Sequence, residues 1–185
     1  LVCMVQDLLR PDVVAFSTVV SACEKGRQWR WTLELLAWAG CCGCAPDLIM
    51  HSAAISSCEK AKKWQWSLAL FAEMEELQLT PNVVTCSAAV SACQKGGQWQ
   101  LALALLGQMP ERSLAPNVIT LSAAISACAT AGRWQHALDI LAAISTRGLK
   151  PDMIAHNAAI IACAKGPQWR RALGLLAEAR RVGLT

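Results

Sequence analysis

The chain has 185 residues, of which 55% are hydrophobic and 16% are charged, and its formal net charge is +4. This apolar fraction excludes an intrinsically disordered chain, and charged residues, Gln or Pro interrupt every apolar run before it reaches the roughly 18 residues of a membrane span. The mild positive charge permits a polyanionic partner without identifying one.

A 35-residue period divides the chain. Four columns keep this spacing without insertion or deletion: a Pro, the Asp or Asn that follows it, a Cys and a Trp. The Pro column consists of Pro11, Pro46, Pro81, Pro116 and Pro151. With the residue after the Asp or Asn as position 1, the repeats are 13–47, 48–82, 83–117, 118–152 and a truncated 153–185. Residues 1–12 are then the end of a preceding repeat, and we expect an excerpt of a longer array whose native N-terminus is missing.

Each repeat is predicted to begin with a helix. Its apolar stripe joins positions 4, 8 and 11, a spacing that places three side chains on one helix face. In the first repeat these side chains are Phe16, Val20 and Cys23. The Pro ends the previous helix, and the Asp or Asn after it can cap the new one. The Cys column at position 11 is interpreted as buried apolar packing in a reducing compartment.

A second helix follows in each repeat after a short turn, in which Gly is predicted to supply the turn conformation. Its stripe starts at the Trp column and continues through two large apolar residues, as in Trp29, Leu33 and Leu36. We therefore predict that the Trp side chains pack in the core rather than stack on bases. Helix pairs at a fixed period predict an all-α fold, a right-handed α-solenoid (superhelix) of antiparallel helix-pair repeats.

No catalytic or metal site is predicted. Cys41, Cys42 and Cys44 cluster in a Gly-containing loop, where thiolates could hold zinc, but a structural zinc site needs four ligands at suitable spacing. The three His residues fall in different repeats or helices, and the sequence has no Gly-rich phosphate loop and no nucleophile elbow. The segment is therefore interpreted as a binding module without a cofactor, not as an enzyme.

The period, the Pro-Asp or Pro-Asn boundary, the ISAC of the first helix and the GQW before the second helix resemble the pentatricopeptide repeat family over essentially the whole chain. Tetratricopeptide repeats have a period of about 34 residues and a different residue pattern. The resemblance implies binding of single-stranded RNA, in which each repeat reads one base through two or three side chains.

In this family, position 5 and position 35, the last residue of the repeat, select the base. The corresponding pairs are Ser17 with Asp47, Ser52 with Asn82, Ser87 with Asn117, and Ser122 with Asp152, while Asn157 lacks a partner within the chain. The family's code implies G for Ser with Asp, A for Ser with Asn, and a pyrimidine for Asn at position 5. The implied target is 5′-G-A-A-G-U/C, although Ser in place of the more usual Thr is expected to weaken discrimination. Polar filling of a solvated helix face is the alternative role.

The family also holds each base between aliphatic residues at position 2. Here these residues are Val14, Ile49, Val84, Ile119 and Ile154. Packing against the next repeat is the alternative role. Position 13 is occupied by Lys25, Lys60, Lys95 and Lys165, with Thr130 in the fourth repeat. These lysines are predicted to contact phosphates, and a solvated turn is the alternative.

The resemblance implies a role in RNA processing, editing, stability or translation in a mitochondrion or plastid. The predicted partner is single-stranded RNA, with no membrane, and the chain is expected to be a monomer within its longer array. Two alternatives belong to other classes. One is a protein-interaction α-solenoid scaffold, because solenoids also present concave surfaces to peptides. The other is the targeting module of a larger RNA-processing enzyme whose catalytic domain lies outside this segment.

Overall fold

The computed structural model describes residues 13–181 and 183, and these residues form ten α-helices. The helices are α1 (Val13–Lys25), α2 (Trp29–Cys41), α3 (Leu48–Lys60), α4 (Trp64–Glu76), α5 (Val83–Lys95), α6 (Trp99–Glu111), α7 (Val118–Thr130), α8 (Trp134–Thr146), α9 (Met153–Lys165) and α10 (Trp169–Arg181). Each predicted repeat holds one helix pair that starts at positions 1 and 17, which confirms the all-α array of helix pairs. None of the described helices combines the length and apolarity that crossing a bilayer requires. The predicted end of a preceding repeat, residues 1–12, lies outside the described residues.

The first helix of a repeat starts where an Asp or Asn side chain caps it. Asp47 Oδ1 accepts a hydrogen bond from the backbone N–H of Met50 at 2.8 Å, and Asp152 Oδ1 accepts one from the N–H of Ala155 at 2.8 Å. Such a cap satisfies one of the N–H groups that a helix start leaves without a partner, and it stabilises the helix by about 1 kcal/mol. The last residue of a repeat therefore sets the start of the next helix.

The turn within each of the first four helix pairs contains a residue in the left-handed conformation at position 15. This residue is Gly97 in the third repeat and Gly132 in the fourth, with φ angles of 70° and 67°. In the first two repeats it is Arg27 and Lys62, with φ angles of 54° and 59°. The expectation that Gly supplies this conformation is thus correct at Gly132, while in the third repeat Gly97 adopts it rather than Gly96, where the sequence pattern placed it. In the first two repeats a residue with a side chain adopts it.

The residues up to Thr85 form one compact unit, and those from Cys86 onwards form a second. In the first unit, α1 packs against α2 and α3, and α3 also packs against α2 and α4. Its largest fully buried side chains are Phe16, Met50, Ile55 and Met74. The Phe16 ring meets the Trp38 ring edge to face, with 5.4 Å between the ring centroids. The predicted stripe at positions 4 and 8 therefore contributes Phe16 and Ile55 to the core of this unit, and Met50 and Met74 add to it from outside the stripe.

The second unit repeats this arrangement. Helix α7 packs against α6, α8 and α9, and α9 also packs against α8 and α10. The largest buried side chains of this unit are Met109, Leu121, Ile125 and Ile144. In both units the first helices of adjacent repeats contact each other, α1 with α3 and α7 with α9. This contact brings equivalent positions of successive repeats side by side.

Small residues permit this close approach of the first helices. Ala54, Ala124 and Ala159 all stand at position 7 of their repeats, and all three are fully buried. A larger side chain there would force the helix backbones apart, because overpacking a close-packed interior costs about 1–3 kcal/mol. The spacing of the first helices, and with it the spacing of any ligand site built on them, depends on these alanines.

The Trp column lies at the edge of the core rather than inside it. Trp29, Trp64, Trp99 and Trp134 are half-buried, and Trp169 is exposed. In three cases a cation of the next repeat lies over the ring: Lys63 at 5.3 Å from the centroid of Trp29, Arg133 at 4.9 Å from Trp99, and Arg171 at 5.3 Å from Trp134. Each such contact contributes about 0.5–1 kcal/mol. The prediction of a core position is therefore corrected, because these rings join one repeat to the next.

Candidate functional site

The aliphatic residues at position 2 are exposed in every repeat. Their exposed fractions are 69% for Val14, 61% for Ile49, 65% for Val84, 66% for Ile119 and 63% for Ile154. Packing against the next repeat would have buried Val14, Ile49, Val84 and Ile119, which a further repeat follows, so this alternative does not describe those four side chains. Exposed apolar side chains that recur at one position of a repeat are available to a ligand with apolar faces. Their predicted contact with bases stays a prediction.

An Asp or Asn lies two residues before each exposed aliphatic residue, at position 35 of the preceding repeat. One side-chain oxygen of this residue is already used by the helix cap. For Asn82 and Asn117, Oδ1 accepts the N–H of Thr85 and of Thr120, each at 2.9 Å. The cap leaves the second carboxylate oxygen of an Asp, or the NH2 group of an Asn, pointing elsewhere. Asn82 is exposed, and the other three caps, Asp47, Asn117 and Asp152, are half-buried.

The position 5 side chains are less accessible than the resemblance implies. Ser87 and Ser122 are only 8% and 3% exposed, whereas Ser17 and Ser52 are half-buried and Asn157 is exposed. The hydroxyls of Ser17 and Ser52 donate to backbone carbonyls four residues earlier, those of Val13 at 2.8 Å and Leu48 at 2.7 Å. A buried Ser hydroxyl has little direct access to a ligand. Its main contribution to a site is to fix neighbouring groups by hydrogen bonds.

The structure brings three of the predicted position 5 and position 35 pairs together, in two ways. In the fourth repeat the link is direct, because Ser122 Oγ donates to Asp152 Oδ1 at 2.8 Å. In the second repeat the link runs through Thr85, whose Oγ1 lies 2.8 Å from Ser52 Oγ and donates to Asn82 Oδ1 at 3.0 Å.

The third repeat is linked in the same way as the second. Thr120 Oγ1 hydrogen-bonds to Ser87 Oγ and donates to Asn117 Oδ1 at 2.8 Å. The first repeat has no Thr at the equivalent place, where Met50 stands. Sequence reasoning missed Thr85 and Thr120, although both stand at position 3, two residues before a position 5 Ser and 35 residues apart.

The lysines at position 13 stand at the ends of the first helices. Lys60 Nζ lies 2.9 Å from Glu24 Oε1, and Lys165 Nζ donates to the Thr130 carbonyl at 3.1 Å. Lys25 and Lys95 are exposed. An exposed ion pair contributes about 0–1 kcal/mol, so Lys60 can exchange Glu24 for a phosphate at little cost. The predicted phosphate contacts stay a prediction.

Four of the Cys residues at position 11 are fully buried: Cys58, Cys93, Cys128 and Cys163. Burial raises the pKa of the Cys58, Cys93 and Cys128 thiols to about 11. It also raises the pKa of Cys163, with the nearby Arg171 charge acting in the opposite direction. These thiols therefore pack as neutral apolar groups. Among residues 13–181 and 183, no group of three or more His, Cys, Asp and Glu could hold a metal ion.

Thiol alkylation at pH 8 should separate the exposed from the buried cysteines. Cys58, Cys93 and Cys128 need a thiolate to react, and a pKa about two units above the ordinary value lowers their thiolate fraction about a hundredfold, before any steric protection. Mass spectrometry after timed iodoacetamide treatment should find Cys41 and Cys42, which are exposed, modified first. The difference should vanish in concentrated urea. Equal rates in the native protein would show that the first helices open readily.

Two family models match the chain. A pentatricopeptide repeat domain model matches residues 69–130 and 104–166, and a PPR repeat model matches residues 49–79. Together these matches extend from residue 49 to residue 166, which is more than half of the chain. No curated protein matches it.

Solved structures share the fold. Maize PPR10 is 25% identical over 94% of this chain, with a TM-score of 0.70. PPR10 in complex with an 18-nt psaJ RNA element is 18% identical over 95% of this chain, with a TM-score of 0.79. The PPR domain of Arabidopsis thaliana protein-only RNase P 1, in complex with tRNA, is 14% identical over 89% of this chain and matches over 87% of its own length, with a TM-score of 0.79.

This chain spans about a quarter of the length of PPR10, since the two matches cover 25% and 26% of that protein. The matched structures confirm the predicted fold class, an all-α solenoid of helix-pair repeats. The family models match more than half of the chain. The chain therefore belongs to the pentatricopeptide repeat family.

Proposed function

We propose that this chain binds single-stranded RNA and that each repeat selects one base, in the order 5′-G-A-A-G-U/C. The observation that carries the proposal is the exposure of the aliphatic side chain at position 2 in all five repeats. Leaving five β-branched apolar side chains in water brings no stability, whereas a base has two apolar faces that such side chains can cover.

The polar groups beside these side chains support base selection. Each exposed aliphatic residue stands two residues after an Asp or Asn, whose side chain offers hydrogen bonds to the edge of a base while the aliphatic side chain contacts the face of that base. The PPR10 and protein-only RNase P 1 structures hold an RNA element and a tRNA, respectively. We extend RNA binding from these relatives to this chain, together with a role in organellar RNA processing, editing, stability or translation.

A binding experiment with three RNAs tests the proposal. Fluorescence anisotropy compares a labelled single-stranded oligomer containing GAAGU, a scrambled oligomer of the same composition and a duplex of the first sequence, at low and moderate salt. We expect the GAAGU oligomer to bind about tenfold more tightly than the scrambled one, which corresponds to about 1.4 kcal/mol. Equal and strongly salt-dependent binding to all three would reduce the interaction to electrostatics. No binding by a folded, monomeric sample would contradict the proposal.

A protein partner is the second candidate function, and one observation favours it. Trp31 on α2 and Trp66 on α4 are 61% and 49% exposed, and both lie on second helices rather than on the helices that carry the position 2 residues. Exposed Trp is enriched at protein interfaces. A scaffold of this kind would bind a polypeptide and would be indifferent to RNA sequence.

A further inference from the structure

Thr85 stands between two side chains of the proposed base-selecting pair of the second repeat. It is fully buried, and its hydroxyl contacts Asn82 Oδ1 at 3.0 Å and Ser52 Oγ at 2.8 Å. Thr120 is buried in the same way and makes the equivalent two contacts in the third repeat. Neither Thr belongs to a proposed position 5 and position 35 pair. Each is nevertheless hydrogen-bonded to both members of such a pair.

The chemistry of the acceptor sets the direction of these hydrogen bonds. An Asn side-chain oxygen accepts and cannot donate, so the Thr85 proton points at Asn82. The Thr85 oxygen then accepts from Ser52, whose single proton is shared with the Leu48 carbonyl at 2.7 Å. Whether it points at Thr85 or at Leu48, the Ser52 proton is donated to an acceptor of the protein. What Ser52 offers to a ligand is therefore an oxygen lone pair.

The same hydroxyl determines what Asn82 offers. Its Oδ1 accepts twice, from the backbone N–H of Thr85 at 2.9 Å and from the Thr85 hydroxyl at 3.0 Å. Two donors on one oxygen hold the amide in a single orientation, with its NH2 group directed away from the cap. A Thr-linked pair thus presents one acceptor and one NH2 donor, and adenine carries the complementary amino group and ring nitrogen.

The fourth repeat provides the contrast. Position 3 of the following repeat is Ala155, which has no hydroxyl, and Ser122 donates directly to Asp152 Oδ1 at 2.8 Å. The carboxylate carries no proton to donate, so this pair presents only acceptors. Only a base edge that carries donors, such as the amino group of guanine, complements it.

We propose that Thr85 and Thr120 are positioning residues that determine base selectivity, because each fixes which donors and acceptors the neighbouring pair presents. This inference rests on the proposed RNA-binding function. It adds a third residue, at position 3 of the following repeat, to the selection of the second and third bases. The first and fourth pairs have no Thr at this position, so the inference does not apply to them.

The test compares Thr85→Val, which removes the hydroxyl with little change of shape, with Thr85→Ser, which keeps it. The readout is the ratio of affinities for oligomers with A and with G at the second base. We expect Thr85→Val to lower the ratio of the affinity for A to the affinity for G about fivefold, which is the effect of one hydrogen bond. Thr85→Ser should leave this ratio unchanged. Thr146→Val is the matched control, because the Thr146 hydroxyl is exposed and bonds only to the carbonyl of Ala143 at 3.1 Å. That control should not change the ratio.

Two outcomes of this comparison separate the possible failures, and a third variant checks the assay. An unaltered chain without any preference at the second base would overturn the proposed function itself. An unaltered chain that prefers A, together with a Thr85→Val variant that keeps this preference, would overturn the positioning role and leave RNA binding intact. Asn82→Asp should move the preference from A to G, which checks that the assay reads this repeat.

A variant that fails to fold does not end the test. Thr120→Val repeats the comparison at the third base, in the other compact unit. NMR of the unaltered, isotope-labelled protein needs no variant at all. There the Asn82 NH2 signals should show one fixed environment before RNA is added, and an NOE to the edge of the second base after RNA is added. Rapid averaging of the Asn82 amide between two orientations would overturn the inference.

Discussion

Replacing Gly166 with Ala is expected to lower the free energy of unfolding by about 2 kcal/mol. A Cβ at this position would lie 2.5 Å from Cδ1 of Trp134 and 3.2 Å from both Cγ and Nε1 of the same ring. These atoms belong to a rigid indole rather than to the end of a flexible chain. Arg171 lies over the same ring, 5.3 Å from its centroid, and limits where the ring can move.

The expected loss comes from the contact and not from the backbone. Gly166 has φ −94° and ψ 177°, an extended conformation that any residue adopts and that suits a residue before Pro167. Chemical denaturation followed by circular dichroism measures the effect. Gly107→Ala is the matched control, because that Gly lies within α6 with no atom near its Cβ position, so Ala should stabilise the helix by about 0.5–1 kcal/mol. A stabilising Gly166→Ala would show that the Trp134 ring shifts without cost.

Replacing Ile154 with Ala is expected to weaken binding of the GAAGU oligomer about tenfold, and to leave stability almost unchanged. The side chain is 63% exposed at the start of α9, so its removal costs the folded protein little. Under the proposed function the same side chain covers the face of a base, and losing its outer carbons removes about 1–2 kcal/mol of apolar contact.

The same helix offers a matched control for this change. Ile161 is also an exposed isoleucine, at 50%, and it stands at position 9 of the repeat, away from the cap. Ile161→Ala should leave RNA affinity unchanged. Anisotropy titrations and denaturation curves on both variants give the comparison. Equal weakening by both variants would show that position 2 makes no special contact with RNA. A loss of stability confined to Ile154→Ala would give the position 2 residue a packing role.

The fold could be predicted from the sequence because the local signals for each helix recur in every repeat. Helix starts depend on local features, namely a Pro that ends one helix, an Asp or Asn that caps the next and an apolar spacing close to the helical period. All of these recur every 35 residues, and the helices of the structure begin at positions 1 and 17 accordingly. The same local chemistry identified Asp47 and Asn82 as helix caps before any contact was known.

Two features of the candidate site depend on residues that are distant in the sequence, and the tertiary structure alone revealed them. The hydrogen bond between Ser52 and Thr85 joins side chains 33 residues apart, and the ion pair of Lys60 with Glu24 joins side chains 36 residues apart. The sequence shows that such residues recur every 35 residues, but it does not show which of their atoms form hydrogen bonds or ion pairs.

The exposure of the position 2 residues has the same origin. An aliphatic column such as Val14 and Ile49 fits both a packed face and a ligand-facing one, because hydropathy is identical in the two cases. The sequence by itself determined the helix pairs, their register and the family, since these follow from local capping and helical periodicity. Only the packing of first helices against each other decided which faces are covered, which hydroxyls are buried and which apolar side chains remain open to a ligand.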